Sequence, residues 1–286
     1  MASSRIICGE VYEPRATGRY KISAVEFPNG HLEISARAEV VYEEDETQDA
    51  ERLANLRWQN EELPEVIKER EERSRKKAVQ RARRTVRHLC KAIGADTMLT
   101  FTYRANQTDL SLIKAHIKEF SRRLRRTLPQ FVGIATFEPQ ERGAWHCHMA
   151  TTRIAASLLD TRGFRVKSYD LLRSIWRSVT RELGGTVNVR RPKGASKHSP
   201  ARIAAYMSKY MMKMWEHIPP GANRFSRFGK VELPRRMQLG VVENLHAAIV
   251  VCYGLAADDQ RVSGAFLPSF KDSFWIAFER IPPDSP

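Results

Sequence analysis

The chain has little cysteine. Cys8, Cys90, Cys147 and Cys252 lie far apart and form no CxxC pair. That excludes a zinc-finger framework and argues against a disulfide-stapled secreted domain, so a reducing compartment is expected. Long apolar runs are also missing. The opening residues MASSRIICGEVYEPR hold no apolar core of signal-peptide length. The longest apolar stretch, Leu245 to Ala257, includes His246 and falls short of the ~18–20 residues that span a bilayer. A cytoplasmic protein with no membrane partner is the expectation. No Gly-x-x-x-x-Gly-Lys-[Ser/Thr] loop occurs, which excludes a fused P-loop helicase. Internal repeats and low-complexity tracts are absent too.

What the chain has is basic charge. Its 286 residues carry 48 Lys plus Arg against 33 Asp plus Glu, a formal net charge of +15. Clustered cations attract phosphates and release their counterions, so a polyanionic partner is expected. A hydrophobic content of 42% with 12 Phe, 8 Tyr and 5 Trp suits one or two packed globular domains. The charge is segregated. Glu43 to Glu72 holds 12 acidic and 4 basic residues, whereas Arg73 to Lys91 holds 9 basic and none acidic. Residues 61–93 read as one long helix, polar nearly all round, either a solvated helix or a DNA-contacting arm.

Periodicity sets the fold class. RYKISAVEF, Pro28-Asn29-Gly30 and HLEISARAEVVY read as a β-hairpin. TMLTFTYR, FVGIATFE, AWHCHMATT and TVNVRRPK read as strands. DLSLIKAHIKEFSRRLRRTL places Leu110, Ile113, Ile117, Phe120 and Leu124 on one helical face. SYDLLRSIWRSVTREL, stopped by Gly184-Gly185, and ARIAAYMSKYMMKMW read as further helices. The expected fold is α+β, a central antiparallel sheet flanked by helices, with N- and C-terminal additions. The boundaries expected are 1–92 for a strand-rich piece plus an acidic and basic helical segment, 93–216 for a catalytic domain, and 217–286 for a C-terminal extension. Beyond Pro219 only residues 245–255 stand out, as a strand or a buried helix.

Two side-chain constellations can carry chemistry. His146 and His148 flank Cys147 on a strand, and a period of two puts both imidazoles on one face. An H-x-H alone is equally a pair of packing or surface histidines. A tight hairpin at Pro139–Gly143, however, would return Glu138 towards them. Two imidazoles and a carboxylate suit Mn²⁺ or Mg²⁺. Trp145 could stack on a base or pack in the core. The second constellation is the helix with Tyr206, Lys209, Tyr210 and Lys213 within about a 100° arc, flanked by Ile203, Met207, Met211 and Met214. It is equally an amphipathic helix with tyrosines at the core boundary and snorkelling lysines. Arg190, Arg191, Lys193, Lys197 and Arg202, with Lys230, Arg235 and Arg236, are candidates for DNA backbone contact or a solvated basic surface.

TMLTFTY, then EPQERGAWHCHMA, then YMSKYMMK stand in the order of three motifs of another group of proteins. Over roughly residues 95 to 215 the chain resembles the HUH endonucleases, closest to two-tyrosine rolling-circle replication initiators of phages and plasmids. The resemblance implies a metal-dependent nickase and strand transferase that joins a tyrosine to a 5′ phosphate at an origin and frees a 3′ hydroxyl. It implies His146, His148 and Glu138 as ligands of Mg²⁺ or Mn²⁺. Tyr206 and Tyr210 become alternating nucleophiles, and Lys209 an aid to the phosphate. With no phosphate loop present, a separate host helicase and DNA polymerase are implied as partners of the origin DNA. A transposase or relaxase on the same scaffold, or a non-catalytic basic DNA-binding protein, remain alternatives.

Overall fold

The computed structural model describes residues 5–7, 10–44, 64–191, 200–213 and 223–281, with side chains over 12–43, 67–191, 200–209 and 223–281. Strands β1 (Arg5–Ile7), β2 (Glu10–Glu26) and β3 (Leu32–Glu44) precede helix α1 (Pro64–Ala92). Next come β4 (Thr97–Thr102), α2 (Leu110–Thr127), β5 (Gly133–Pro139), β6 (Trp145–Thr151), β7 (Ser157–Leu159) and β8 (Arg165–Lys167). Helix α3 (Ser168–Thr180), a 3-10 turn (Arg181–Leu183), β9 (Thr186–Arg190), α4 (Pro200–Lys213) and β10 (Phe225–Phe228) follow. The last described elements are β11 (Arg235–Val242), α5 (Leu245–Gly254), β12 (Gln260–Phe266) and β13 (Ser273–Arg280). The chain divides into two units, Met1–Ser74 with Pro234–Pro286, and Arg75–Leu233. The fold is α+β, as the alternation of strand and helix patterns required. Among the described residues no helix is long and apolar enough to cross a membrane.

In the first unit, strands from the two ends of the chain share one antiparallel sheet. β2 and β3 form the hairpin read from the sequence, turned at Gly30 with φ +77. β13 adds to β3, β12 to β13, and β11 to the other edge of β2. Ile22, Ala24, Ile34, Ala36, Phe274, Ile276 and Phe278 form the core with Ala248 and Cys252 of α5. Residues 245–255 are a helix, but not a buried one. Only Ala248 and Cys252, one turn apart, are buried, while Val250, Val251 and Tyr253 face solvent.

The second unit is built on an antiparallel sheet in the order β10-β5-β6-β4-β9. Phe101, Cys147 and Phe137 lie side by side in register and point to one face. Helices α2 and α3 cover that face: Phe101 meets Phe120 at 4.8 Å and Trp176 at 5.0 Å between ring centroids. Each such buried side chain contributes about 1.5–3 kcal/mol. Asp109 caps α2, accepting from the amides of Ser111 at 2.8 Å and Leu112 at 3.1 Å. Its Ile113, Ile117, Phe120 and Leu124 are buried as the spacing demanded. Thr100, His148 and Thr136 occupy the opposite face. There α4 packs through Ile203, Ala204 and Met207, with Met207 Sδ 4.0 Å from Thr136 Oγ1.

Two sequence readings change here. Helix α1 is not polar nearly all round, because Val79, Val86, Leu89 and Cys90 are buried. A seven-residue step from 79 to 86 keeps that stripe on one side, hidden in the sequence among nine basic residues. Helix α3 stops at Thr180, before Gly184-Gly185, because Arg181 turns to φ 51. Gly185 then runs at φ +136, where a Cβ would stand 2.2 Å from the Thr102 carbonyl oxygen. Only glycine allows β9 to approach β4 so closely.

Candidate functional site

The hairpin β5–β6 builds the site. Its turn closes with Gln140 N to Ala144 O at 2.7 Å and Gly143 N to Gln140 O at 2.8 Å. That register sets Glu138 directly opposite His146 and Thr136 opposite His148. The carboxylate and both imidazoles therefore share the α4 face of the sheet. Glu138 Oε2 lies 2.9 Å from His148 Nε2, with both residues 5% exposed. On its other side, His148 Nδ1 is 3.2 Å from Thr100 Oγ1 of β4. His146 is half-buried. Burial pushes its pKa below the ordinary imidazole value; the Glu138 charge opposes that shift and the Arg142 charge adds to it. A neutral imidazole with a free lone pair results at neutral pH.

The donor types suit a hard divalent cation, since two imidazoles and a carboxylate on one face leave positions for water and phosphate oxygens. Among the described residues, no three His, Cys, Asp or Glu side chains are closed around a single point. Glu138 and His148 instead bond to each other. A cation held by both would replace that hydrogen bond, while Thr100 would keep the Nδ1 proton and so fix the tautomer.

Tyr206 reaches this group from α4. Its ring centroid is 6.5 Å from that of His148, with the planes at 84°. Tyr206 is 38% exposed, so its phenol is open to a substrate. The helix presents it there because buried Ile203 and Met207 anchor the adjoining face. Lys209 is exposed on the same helix. Tyr210 and Lys213 lie on α4 one turn beyond Tyr206 and Lys209; their side chains, with Met211 and Met214 of the apolar flank, are outside the described residues.

The other candidates scatter. Trp145 is 7% exposed and sits at the parity of Cys147, on the face opposite the imidazoles, so packing is its role and no ring face is left for a base. Arg190 is exposed at the end of β9, and Arg202 is exposed on α4. The Arg191 guanidinium donates to the Ile154 carbonyl. Lys193 and Lys197 lie outside the described residues. Lys230 is exposed; Arg235 and Arg236 are exposed on β11 of the first unit. Sequence reasoning missed Thr100 and Arg142. Arg142 was visible within EPQERGAWHCH as a charge four residues from His146. Thr100 had no local signal, because its pairing with residue 148 crosses two strands far apart in sequence.

Comparisons with curated proteins and with solved structures gave no match. Residues 96–215 match the family model of replication-associated proteins of the ORF2 type, a span enclosing Thr100, Glu138, His146, His148, Tyr206 and Lys209, and that match supports a role in the initiation of replication.

Proposed function

We propose that the chain is a replication initiation endonuclease that nicks one DNA strand at an origin, holds the 5′ end on a tyrosine and later reseals it. The approach of Tyr206 to His148, 6.5 Å between ring centroids, carries this reading. It joins a nucleophile to the donor set whose residue types match a divalent-cation site. The replication family match over the same residues supports it.

The chemistry is transesterification. A phenol oxygen of Tyr206 attacks the scissile phosphorus and forms a new P–O bond. The bond to the 3′ oxygen breaks, and that oxygen leaves as a hydroxyl after taking up a proton. The strand with the 5′ phosphate stays on the protein. A phenol with an ordinary pKa of about 10 needs help at neutral pH. Mg²⁺ or Mn²⁺, held by His146, His148 and Glu138, would polarise the phosphate. Thr100 orients His148, and Lys209 offers positive charge to the phosphate. Tyr210, one turn further along α4, supplies a second nucleophile. A phosphotyrosine bond keeps the energy of the phosphodiester, so cleavage by one tyrosine couples to resealing at the other. The chain carries no phosphate loop, so duplex unwinding and synthesis fall to a separate helicase and DNA polymerase.

The test is direct. Incubation with Mn²⁺ and a labelled single-stranded origin oligonucleotide should give an SDS-stable protein–DNA adduct. Shifted but uncut DNA with no adduct would mark a non-catalytic DNA binder and reject the proposal.

A further inference from the structure

The β7–β8 hairpin and the start of α3 carry an aromatic and basic surface that this chemistry does not use. From Arg153 to Arg173, both included, stand five Arg and Lys residues and two acids, Asp160 and Asp170. Both acids serve local structure. Asp160 Oδ1 accepts from the amides of Arg162 and Phe164, each at 2.9 Å, and Oδ2 pairs with the Arg162 guanidinium at 3.0 Å. These bonds, the Phe164 amide first, hold its carboxyl below the usual range. Asp170 sits in the first turn of α3, where the helix dipole favours an anion.

The tip is rigid by construction. Asp160 N bonds to Phe164 O at 2.8 Å, and Gly163 supplies the φ +86 that the turn needs. Ser168 N bonds to Ala156 O at 2.9 Å, tying the hairpin base to α3. What this frame displays is unusual for a surface. Phe164 is 63% exposed, with the Arg162 guanidinium 5.4 Å from its centroid. Tyr169 is 41% exposed, with Lys167 at 6.0 Å and Arg173 at 5.5 Å. A protein partner would be met by a contiguous apolar patch. Here each ring stands apart with cations against it. Unpaired nucleotides match that pattern, since every base offers a flat π-face and every linkage a phosphate.

We propose that the β7–β8 tip and the first turn of α3 form a stacking platform for single-stranded DNA, on which Phe164 and Tyr169 receive bases while Arg162, Lys167 and Arg173 meet phosphates. The inference deepens the proposed function by naming how the unpaired strand is held. It requires a DNA-acting protein but neither Tyr206 nor a metal.

The test uses the full chain in EDTA, where cleavage chemistry is stopped, with fluorescence anisotropy of a labelled oligo-dT strand. Phe164→Ala and Tyr169→Ala should each weaken binding roughly 5- to 100-fold, the usual loss for one stacked base. Phe164→Trp should keep the affinity. Phe164→Leu, apolar but not planar, should lose it. Because Phe164 is exposed, folding of these variants is not at stake, and unchanged far-UV dichroism verifies it. Alanine variants binding within twofold of the parent would overturn the platform, as would Phe164→Leu binding as tightly as Phe164→Trp. Equal losses for a blunt duplex would also overturn it, since a duplex offers no free base faces. A parent chain that binds oligo-dT yet never forms the SDS-stable adduct defeats only the nicking proposal.

Discussion

His148 Nε2 and Glu138 Oε2 stand 2.9 Å apart, buried beneath the tyrosine helix. A carboxylate placed there fixes the imidazole and is itself a potential ligand, so the pair is the hinge of any metal chemistry at this site. Removing either partner leaves the other buried without that bond, which is costly in itself.

The first prediction tests the arrangement through its outer support. Thr100→Val keeps the shape of the side chain but removes the hydroxyl 3.2 Å from His148 Nδ1. Outer partners of ligating histidines typically carry a 10- to 100-fold effect on metal affinity, so a loss of about that size is expected. Mn²⁺ titration by calorimetry measures it. Unchanged Mn²⁺ affinity in Thr100→Val would separate Thr100 from the site. His146→Ala with His148→Ala should abolish adduct formation yet leave salt-sensitive DNA binding largely intact. Normal cleavage in that variant rejects the metal site.

A second prediction concerns the phenols. Tyr206→Phe and Tyr210→Phe should each leave some covalent adduct, and each should lose resealing, because strand transfer needs a second acceptor on the same helix. The double variant should give none. Denaturing gels of labelled oligonucleotide report both the adduct and the rejoined product. Adduct persisting in the double variant moves the nucleophile to another residue.

The motifs were legible because they are local. His146 and His148 share a face by strand period, Glu138 returns across a five-residue turn, and Tyr206 to Tyr210 is one helical turn. The rest depends on pairings between distant segments. β3 meets β13 with Arg37 opposite Ser273, and no periodicity within either strand announces that partner. Strands β7, β8 and β10, three to four residues each, are too short for alternation to register. The burial of Trp145 follows from helices α2 and α3 closing on its face of the sheet, a fact of tertiary packing rather than of local pattern.

A third prediction tests the corner where α3 meets the sheet. Gly185→Ala combines φ +136 with a Cβ 2.2 Å from Thr102 O and 3.0 Å from Trp176 Nε1. Backbone strain and overpacking together should cost about 2–4 kcal/mol, read as a shift in the urea midpoint. Trp176→Phe, which loses the Nε1 bond to Thr102 O at 3.0 Å, should cost about 1–3 kcal/mol by leaving that carbonyl unpaired. A silent Gly185→Ala would mean that β9 can withdraw from β4 freely.

The last prediction is alkaline destabilisation of the second unit. Burial pushes the Cys90 thiol up from 9.0 to about 12 and raises Cys147 well above its ordinary value. An acid whose folded pKa lies above its unfolded one favours the folded state fully below the unfolded value. That contribution drains as pH rises from about 9 towards the folded value, because the unfolded chain releases the proton first. Each such thiol adds about 1.4 kcal/mol of lost stability per pH unit above 9. Urea midpoints measured between pH 8 and pH 10.5 should therefore fall with a slope that Cys90→Ala makes shallower by roughly one group's share. The slope isolates the ionisation from the packing lost with the sulfur, since packing lowers stability equally at every pH. An identical slope in Cys90→Ala would show that Cys90 ionises as readily in the folded chain as in the unfolded one, against its placement in the core beside Val86 and Leu89.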